Sequence, residues 1–336
     1  MVPAVPVTVV APVTALVVHT SDLVVTECGP ADELEYVITA GGDTVRFRYW
    51  TPDWNNYKPF NVSRYSGAKK GLLSDAQILA GGYSTSELKI LKANAMKESG
   101  GAFGAINTWD NQIVSWGMAQ FAGHAGTLAA LLAEIKDDKR SAAAYTRWFV
   151  DNGIDVAFGT YPFKDTTRKG WHVVVRSGDR VYTGDDGWRH IRTRPPLIGA
   201  FLLAGNDPAI QLGQVLFWRR SFLTRAIGKN IGKLSAKTQG AAVGRFFTAE
   251  RTLALVVRLY NWMPAYVVPW CDRFLAELAK DGGAAAVYDP DAWDNALETA
   301  IADKIAAERK RVKSGSYDTY ALDLSRTRGS FVPSRS

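Results

Sequence analysis

The spacing of apolar residues changes character along the chain. Up to about residue 70 the apolar runs are short and β-branched: Val7-Thr8-Val9-Val10, Ala15-Leu16-Val17-Val18, Leu23-Val24-Val25-Thr26 and Thr44-Val45-Arg46-Phe47-Arg48-Tyr49-Trp50. Such runs suit a pleated, half-buried surface and predict strands. Gly41-Gly42-Asp43, between 36–38 and 45–49, predicts a hairpin turn. Residues 1–70 therefore read as a small β module or an irregular arm on the main body.

From Ser84 the period lengthens. Ser84 and Glu87 have the spacing of a capping box. Leu88, Leu91, Ala95 and Met96 follow at helical spacing, and Ser99-Gly100-Gly101 ends the helix. Glu98 falls in its last turn. Residues 102–122 are turn-rich and then β-like, and 125–135 read as a helix. A β insertion is expected over about 154–195, through Trp171-His172-Val173-Val174-Val175 and Val181-Tyr182 to a break at Pro195-Pro196. Helices resume at Asp207-Pro208, where proline suits a first turn. They continue over 211–223, 248–260, 269–279 and 292–312. The pattern predicts an α+β fold, mainly α: a β-rich segment 1–70, a helical domain 71–308 and a basic tail 309–336.

Composition changes this picture little. At 336 residues, 47% hydrophobic and 22% charged, the chain can bury a sizeable core. Eleven Trp and thirteen Tyr serve cores and also line grooves that take sugar rings. The net charge of +7 favours a polyanionic partner. Most of it lies in the last segment, where Arg309, Lys310, Arg311, Lys313, Arg326, Arg328 and Arg335 face only Asp318 and Asp323. That segment reads as a solvated tail, and nucleic acid is not the expected partner. Cys28 and Cys271 are open to pairing but make no disulfide framework. His19, His124, His172 and His190 form no metal motif, so neither a metal nor another cofactor is expected. His124 reads as a satisfied histidine. The first 25 residues lack a charged n-region and carry Pro3, Pro6 and Pro12, so neither a standard signal peptide nor a membrane span is expected.

The candidate chemistry lies in 97–121. Breaking a glycosidic bond needs a proton on the leaving oxygen, which a carboxylic acid in apolar surroundings supplies. A second carboxylate, or a water held by polar groups, then serves the cationic sugar carbon. Glu98 at a helix end, across a turn-rich segment bearing Asp110 and Ser115, meets both needs. Phe103, Trp109, Trp116 and Phe121 offer an apolar wall. The bland alternatives are a solvated acid for Glu98, a turn residue for Asp110 and core positions for the tryptophans.

Glu98-Ser99 with Gly117-Met118-Ala119-Gln120 resembles the Glu-Ser and Gly-Leu-Met-Gln pattern of lytic transglycosylases and goose-type lysozymes. The placing of Asp110 and Ser115 resembles phage-type lysozymes, and inverting chitosanases share the Glu-then-Asp layout. Leu259-Tyr260-Asn261-Trp262-Met263-Pro264 is similar to the transglycosylase Ala-Tyr-Asn-Ala-Gly-Pro motif, with Trp262 replacing a glycine-region residue. The likeness covers 84–128 and, more thinly, 258–264.

The resemblance implies a lysozyme-like helical domain with a small β-hairpin at the site, acting on bacterial peptidoglycan. It implies Glu98 as general acid, Asp110 and Ser115 as holders of the water or charge, and Tyr260 as the residue that orients Glu98. Gln120, Asn107, Trp109 and Trp116 would meet substrate. Asp110 favours a muramidase over a lytic transglycosylase. A chitosanase and an inactive wall-binding module are the other readings. Delivery by phage lysis, a tail structure or a specialised secretion system would bring it to the periplasm or wall, with an immunity protein or delivery apparatus as further partner.

Overall fold

The structure, a computed structural model, describes residues 22–28, 35–50, 61–67, 73–232, 240–282, 284–312 and 324–334. The runs at 7–10 and 15–18 and His19 lie outside these residues. The fold is α+β and mainly α, with several small sheets.

Four strands, β1 (Val24–Cys28), β2 (Glu35–Ala40), β3 (Asp43–Trp50) and β4 (Asn61–Ser66), form an antiparallel meander. Gly41 and Gly42 turn β2 into β3 at φ of 55° and 85°. A two-residue hairpin needs that left-handed pair, which glycine adopts without Cβ strain. Alternation along β2 and β3 buries Ile38, Ala40, Val45 and Phe47.

Two capped helices follow, α1 (Asp75–Ala80) and α2 (Thr85–Ser99). The capping box of α2 is formed by Ser84 and Glu87, and Gly100 ends the helix in the left-handed region at φ 64°. Met96, placed on the apolar stripe by spacing, is 60% exposed. The segment predicted as a hairpin is a three-stranded sheet of two-residue strands: β5 (Ile106–Asn107), β6 (Ser115–Trp116) and β7 (Phe121–Ala122). Helices α3 (Thr127–Asp137) and α4 (Ala142–Trp148) lead into the insertion.

The insertion is an antiparallel sheet of β8 (Ile154–Phe163), β9 (Thr166–Ser177) and β10 (Arg180–Thr183). It stops at Thr183, short of the expected 195. Residues Gly184–Arg192 are helix α5, with Asp185 and Asp186 in the first turn and Arg189, His190 and Arg192 in the last. That charge order complements the helix dipole, a signal that the two glycines in 184–187 obscure in the sequence. Pro195-Pro196 opens helix α6 (Pro195–Ala204) instead of breaking the chain.

The remaining helices are α7 (Pro208–Trp218), a π-helical stretch Arg219–Thr224 running into α8 (Arg225–Ile227), α9 (Val243–Phe246), α10 (Glu250–Trp262), α11 (Val267–Gly282), α12 (Ala284–Tyr288) and α13 (Asn295–Val312). Residues 198–204 of α6 and 253–259 of α10 are buried throughout. Gly199 lets the N-terminal sheet seat on α6, since a Cβ there would come within 2.6 Å of Ile38. One hydrophobic cluster joins Ile38 and Phe47 to the helices as far as Ile305 and Leu324.

The basic tail is not simply solvated. Helix α13 carries through Arg309, which is 5% exposed, with its guanidinium 3.4 Å from the Trp262 ring centre. Residues 324–334 strap onto the body: Arg251 N donates to Ser325 O at 3.1 Å and Phe331 N to Thr248 O at 2.8 Å. Arg328 donates to buried Glu298 at 3.0 Å, and Ser325 N to buried Glu250 at 3.3 Å. Buried carboxylates need such partners, and the tail supplies them. Cys271 is a buried free thiol, its pKa raised by burial. Among the described residues no helix is long and apolar enough to cross a membrane.

Candidate active site

Helices α2 and α10 pack side by side and run parallel. Lys89 Nζ meets Glu250 Oε1 at 3.1 Å near their N-terminal ends, and Asn261 Nδ2 meets Glu98 Oε1 at 2.7 Å at their C-terminal ends. Both C-terminal ends thus open on one cleft, with Glu98 at its edge, 17% exposed. Arg258, from the buried run of α10, pairs with Glu98. Asn261 Nδ2 also reaches Ala119 O at 3.3 Å, and Ser99 Oγ donates to Met118 O at 2.9 Å. These bonds tie the helix end to the small sheet.

The small sheet forms the facing wall. Asn107, Asp110, Ser115 and Gln120 line the same cleft as Glu98. Asp110 makes the turn: Oδ1 accepts from Gln112 N at 2.9 Å and Oδ2 from Asn107 Nδ2 at 3.1 Å. Ser115 is 4% exposed, and its hydroxyl has no hydrogen bond among the described residues. Gln120 takes φ 51° and braces the loops, donating to Ala105 O at 3.0 Å and Gly117 O at 3.1 Å. Gly117 at φ 86° leaves room for Gln214, since a Cβ would fall 2.4 Å from its Oε1. Buried Gln214 accepts from Met118 N at 3.0 Å and donates to Phe103 O at 3.0 Å, so it fixes the floor of the cleft from α7.

Not every expected residue faces the cleft. Trp109 lines it, 38% exposed. Trp116 does not: it is fully buried, donates to Phe201 O at 3.0 Å and packs edge-on against Phe149 and Phe201. Neighbours on a strand point to opposite faces, so Ser115 toward the cleft puts Trp116 in the core. Phe121 is likewise core, against Phe217 and Phe222. Tyr260 lines the cleft but packs on Phe222 beneath Lys229, and Glu98 is bonded by Asn261 and Arg258 instead. His124 pairs with Asp185 at 2.9 Å and stacks on Phe163.

The third wall is the β8–β9 hairpin, through Tyr161, Arg168, Lys169, Gly170 and Trp171. The cavity measures about 1040 Å³. That is at the upper end of small-molecule sites, about 300–1000 Å³, and suits an extended ligand. Among the described residues no three His, Cys, Asp or Glu side chains gather as metal ligands. No family model matches the chain, and no curated protein or solved structure matches it.

Proposed function

We propose that the cleft is the active site of a glycosidase that cuts the N-acetylmuramic acid to N-acetylglucosamine bond of bacterial peptidoglycan, with Glu98 as general acid. The observation that carries this reading is the placement of Glu98. It sits three-quarters or more enclosed, at the joint end of α2 and α10, on a cleft it shares with Asp110 and Ser115.

In this reading a strand lies along the cleft with its bridging oxygen at Glu98. Glu98 donates its proton as the bond from the anomeric carbon to that oxygen breaks, so the departing sugar leaves as a hydroxyl. Water adds to the anomeric carbon and gives its proton to Asp110, with Ser115 holding the water. Sugar filling the cleft strips water from Glu98, which favours the neutral acid against the pull of Arg258. Arg258 and Asn261 hold the carboxyl in place. Such an enzyme acts in the periplasm or wall, after delivery by phage lysis, a tail structure or a specialised secretion system.

Mass spectrometry of digested peptidoglycan tests the reading. Reducing-end muramic acid is expected. Anhydro-muramic products would mean transglycosylation instead, in which the sugar's own 6-hydroxyl replaces water. Equal product release by the wild-type protein and Glu98→Gln would remove the catalytic assignment.

A further inference from the structure

The cleft's charge is divided between its walls. Two of its three acids are paired with bases of the protein, Glu98 with Arg258 and Glu134 with Arg220, and the third, Asp110, is bonded by Asn107 and Gln112. Its exposed cations are not so paired. Arg168 and Lys169 on β9 and Arg225 on α8 line the cleft with no acidic partner among the described residues. Cations without acidic partners on a cleft wall draw anionic groups of a ligand.

Arg168 is also held in position. Its guanidinium lies 5.2 Å from the Phe163 ring centre, and Nη2 donates to Ala125 O at 3.3 Å. Phe163 stacks on His124 at 4.7 Å and 19°, and His124 is fixed by Asp185 at 2.9 Å. Asp185, His124, Phe163 and Arg168 thus form one supported stack. An ordered guanidinium loses less freedom on pairing with a carboxylate than a free one.

The same hairpin offers a sugar-stacking surface. Trp171 lines the cleft, braced edge-on by its cross-strand partner Phe158 at 5.5 Å. Gly170, next to it, is bare backbone with nothing within 4 Å of a would-be Cβ.

We propose that the β8–β9 hairpin is the specificity wall of the cleft. It selects a glycan whose sugars bear carboxylates, pairing Arg168, Lys169 and Arg225 with those carboxylates and stacking a sugar ring on Trp171. The ligand is a muramic acid strand, its lactyl carboxylate free or extended by an acidic peptide, and not a neutral or amino-bearing glycan. This inference rests on the glycosidase reading for the identity of the backbone, and it assigns recognition to residues that take no part in the proton transfer.

The test is titration calorimetry on the full chain carrying Glu98→Gln, so that nothing is cleaved. The probes are soluble peptidoglycan strands and N-acetylchitohexaose, anionic and neutral forms of a similar backbone. Adding Arg168→Gln, Lys169→Gln and Arg225→Gln together is expected to weaken the anionic strand about tenfold more than the neutral one. The preference is expected to shrink between about 50 and about 500 mM salt. If Arg168→Gln harms folding, Lys169→Glu with Arg225→Glu gives the same readout on two exposed residues.

Equal affinity for both glycans, or an equal loss for both, overturns the proposal. The two readings fail separately. Charge discrimination without any loss of cleavage in Glu98→Gln keeps the specificity wall and removes the catalytic acid. Lost cleavage without charge discrimination does the reverse.

Discussion

Helix α2 carries a Glu–Arg pair at each end, and the two ends are built differently. At the N-terminal end, Glu87 pairs with Arg219 at 3.3 Å, accepts from Ser84 N at 3.0 Å and accepts from Ser334 Oγ at 3.1 Å. Val332 O accepts from Ser84 Oγ, and the strap closes over the whole end. Glu87 is 5% exposed and every bond it makes is internal. At the C-terminal end, Glu98 pairs with Arg258 and Asn261 and faces a cavity of about 1040 Å³. The same residue types therefore serve two purposes. A Glu–Arg pair alone marks no chemistry; what separates the ends is open space beside the carboxylate and polar groups across it.

Swapping the chemistry at the two ends should produce opposite outcomes. Glu98→Gln is expected to lower the cleavage rate by about 10³-fold, within the range for a positioned general acid, and to cost less stability than Glu87→Ala, because glutamine keeps an acceptor for Arg258 and Asn261. Glu87→Ala is expected to cost about 3 kcal/mol of stability, because it strands Arg219 and opens the strap, while turnover per folded molecule stays near wild type. Chemical denaturation and a dye-release assay read both. If Glu98→Gln destabilises as much as Glu87→Ala, the two ends are the same kind of structure and the site is lost.

The ion pair at the open end permits a finer division. Arg258→Met keeps the volume but removes the cation. With the guanidinium gone, Glu98 holds its proton to higher pH. A general acid fails when it deprotonates, so the alkaline limb of the kcat/KM profile should move up. An unmoved limb, with only a uniform fall in rate, would make Arg258 a packing residue. At the closed end, removing 324–336 is expected to lower stability by at least about 3 kcal/mol, because buried Glu87, Glu250 and Glu298 each lose a donor. Activity at low temperature should survive that truncation.

Local signals made much of this legible in sequence. The Ser84–Glu87 spacing, the Gly100 stop and the Gly41-Gly42 turn each depend on a few neighbouring residues, and each appears where expected. The gathering of Glu98 with Asp110, Ser115, Gln120 and Trp109 was legible because all lie within one short stretch. Partners from far along the chain were not. Gln214 and Arg258 reach the site from α7 and α10, and no local pattern announces a contact across more than ninety residues. Arg258 still left a trace. It is the one charge in Leu253-Ala254-Leu255-Val256-Val257-Arg258-Leu259, and a charge inside so apolar a run requires a buried partner. Strand alternation would also have told Trp116 from Ser115. The tail misled for a related reason: its charge implied water, while three buried glutamates elsewhere in the chain were waiting for it.

The smallest test compares one polar side chain at each end. Ser84 Oγ accepts from Glu87 N at 3.1 Å and donates to Val332 O, and Asn261 Nδ2 donates to Glu98 at 2.7 Å and to Ala119 O at 3.3 Å. Removing either side chain by alanine is expected to cost about 1 kcal/mol. For Ser84→Ala that cost should appear in the unfolding free energy and leave kcat/KM alone. For Asn261→Ala it should appear as about a fivefold loss in kcat/KM, since about 1.4 kcal/mol is tenfold, with only a minor change in stability. Asn261→Asp sharpens the contrast. It replaces a donor to Glu98 with a second carboxylate, whose repulsion favours the protonated acid and should raise the alkaline limb alongside Arg258→Met. If Asn261→Ala instead melts the protein and spares turnover, Glu98 is held as Glu87 is, by the fold and for the fold.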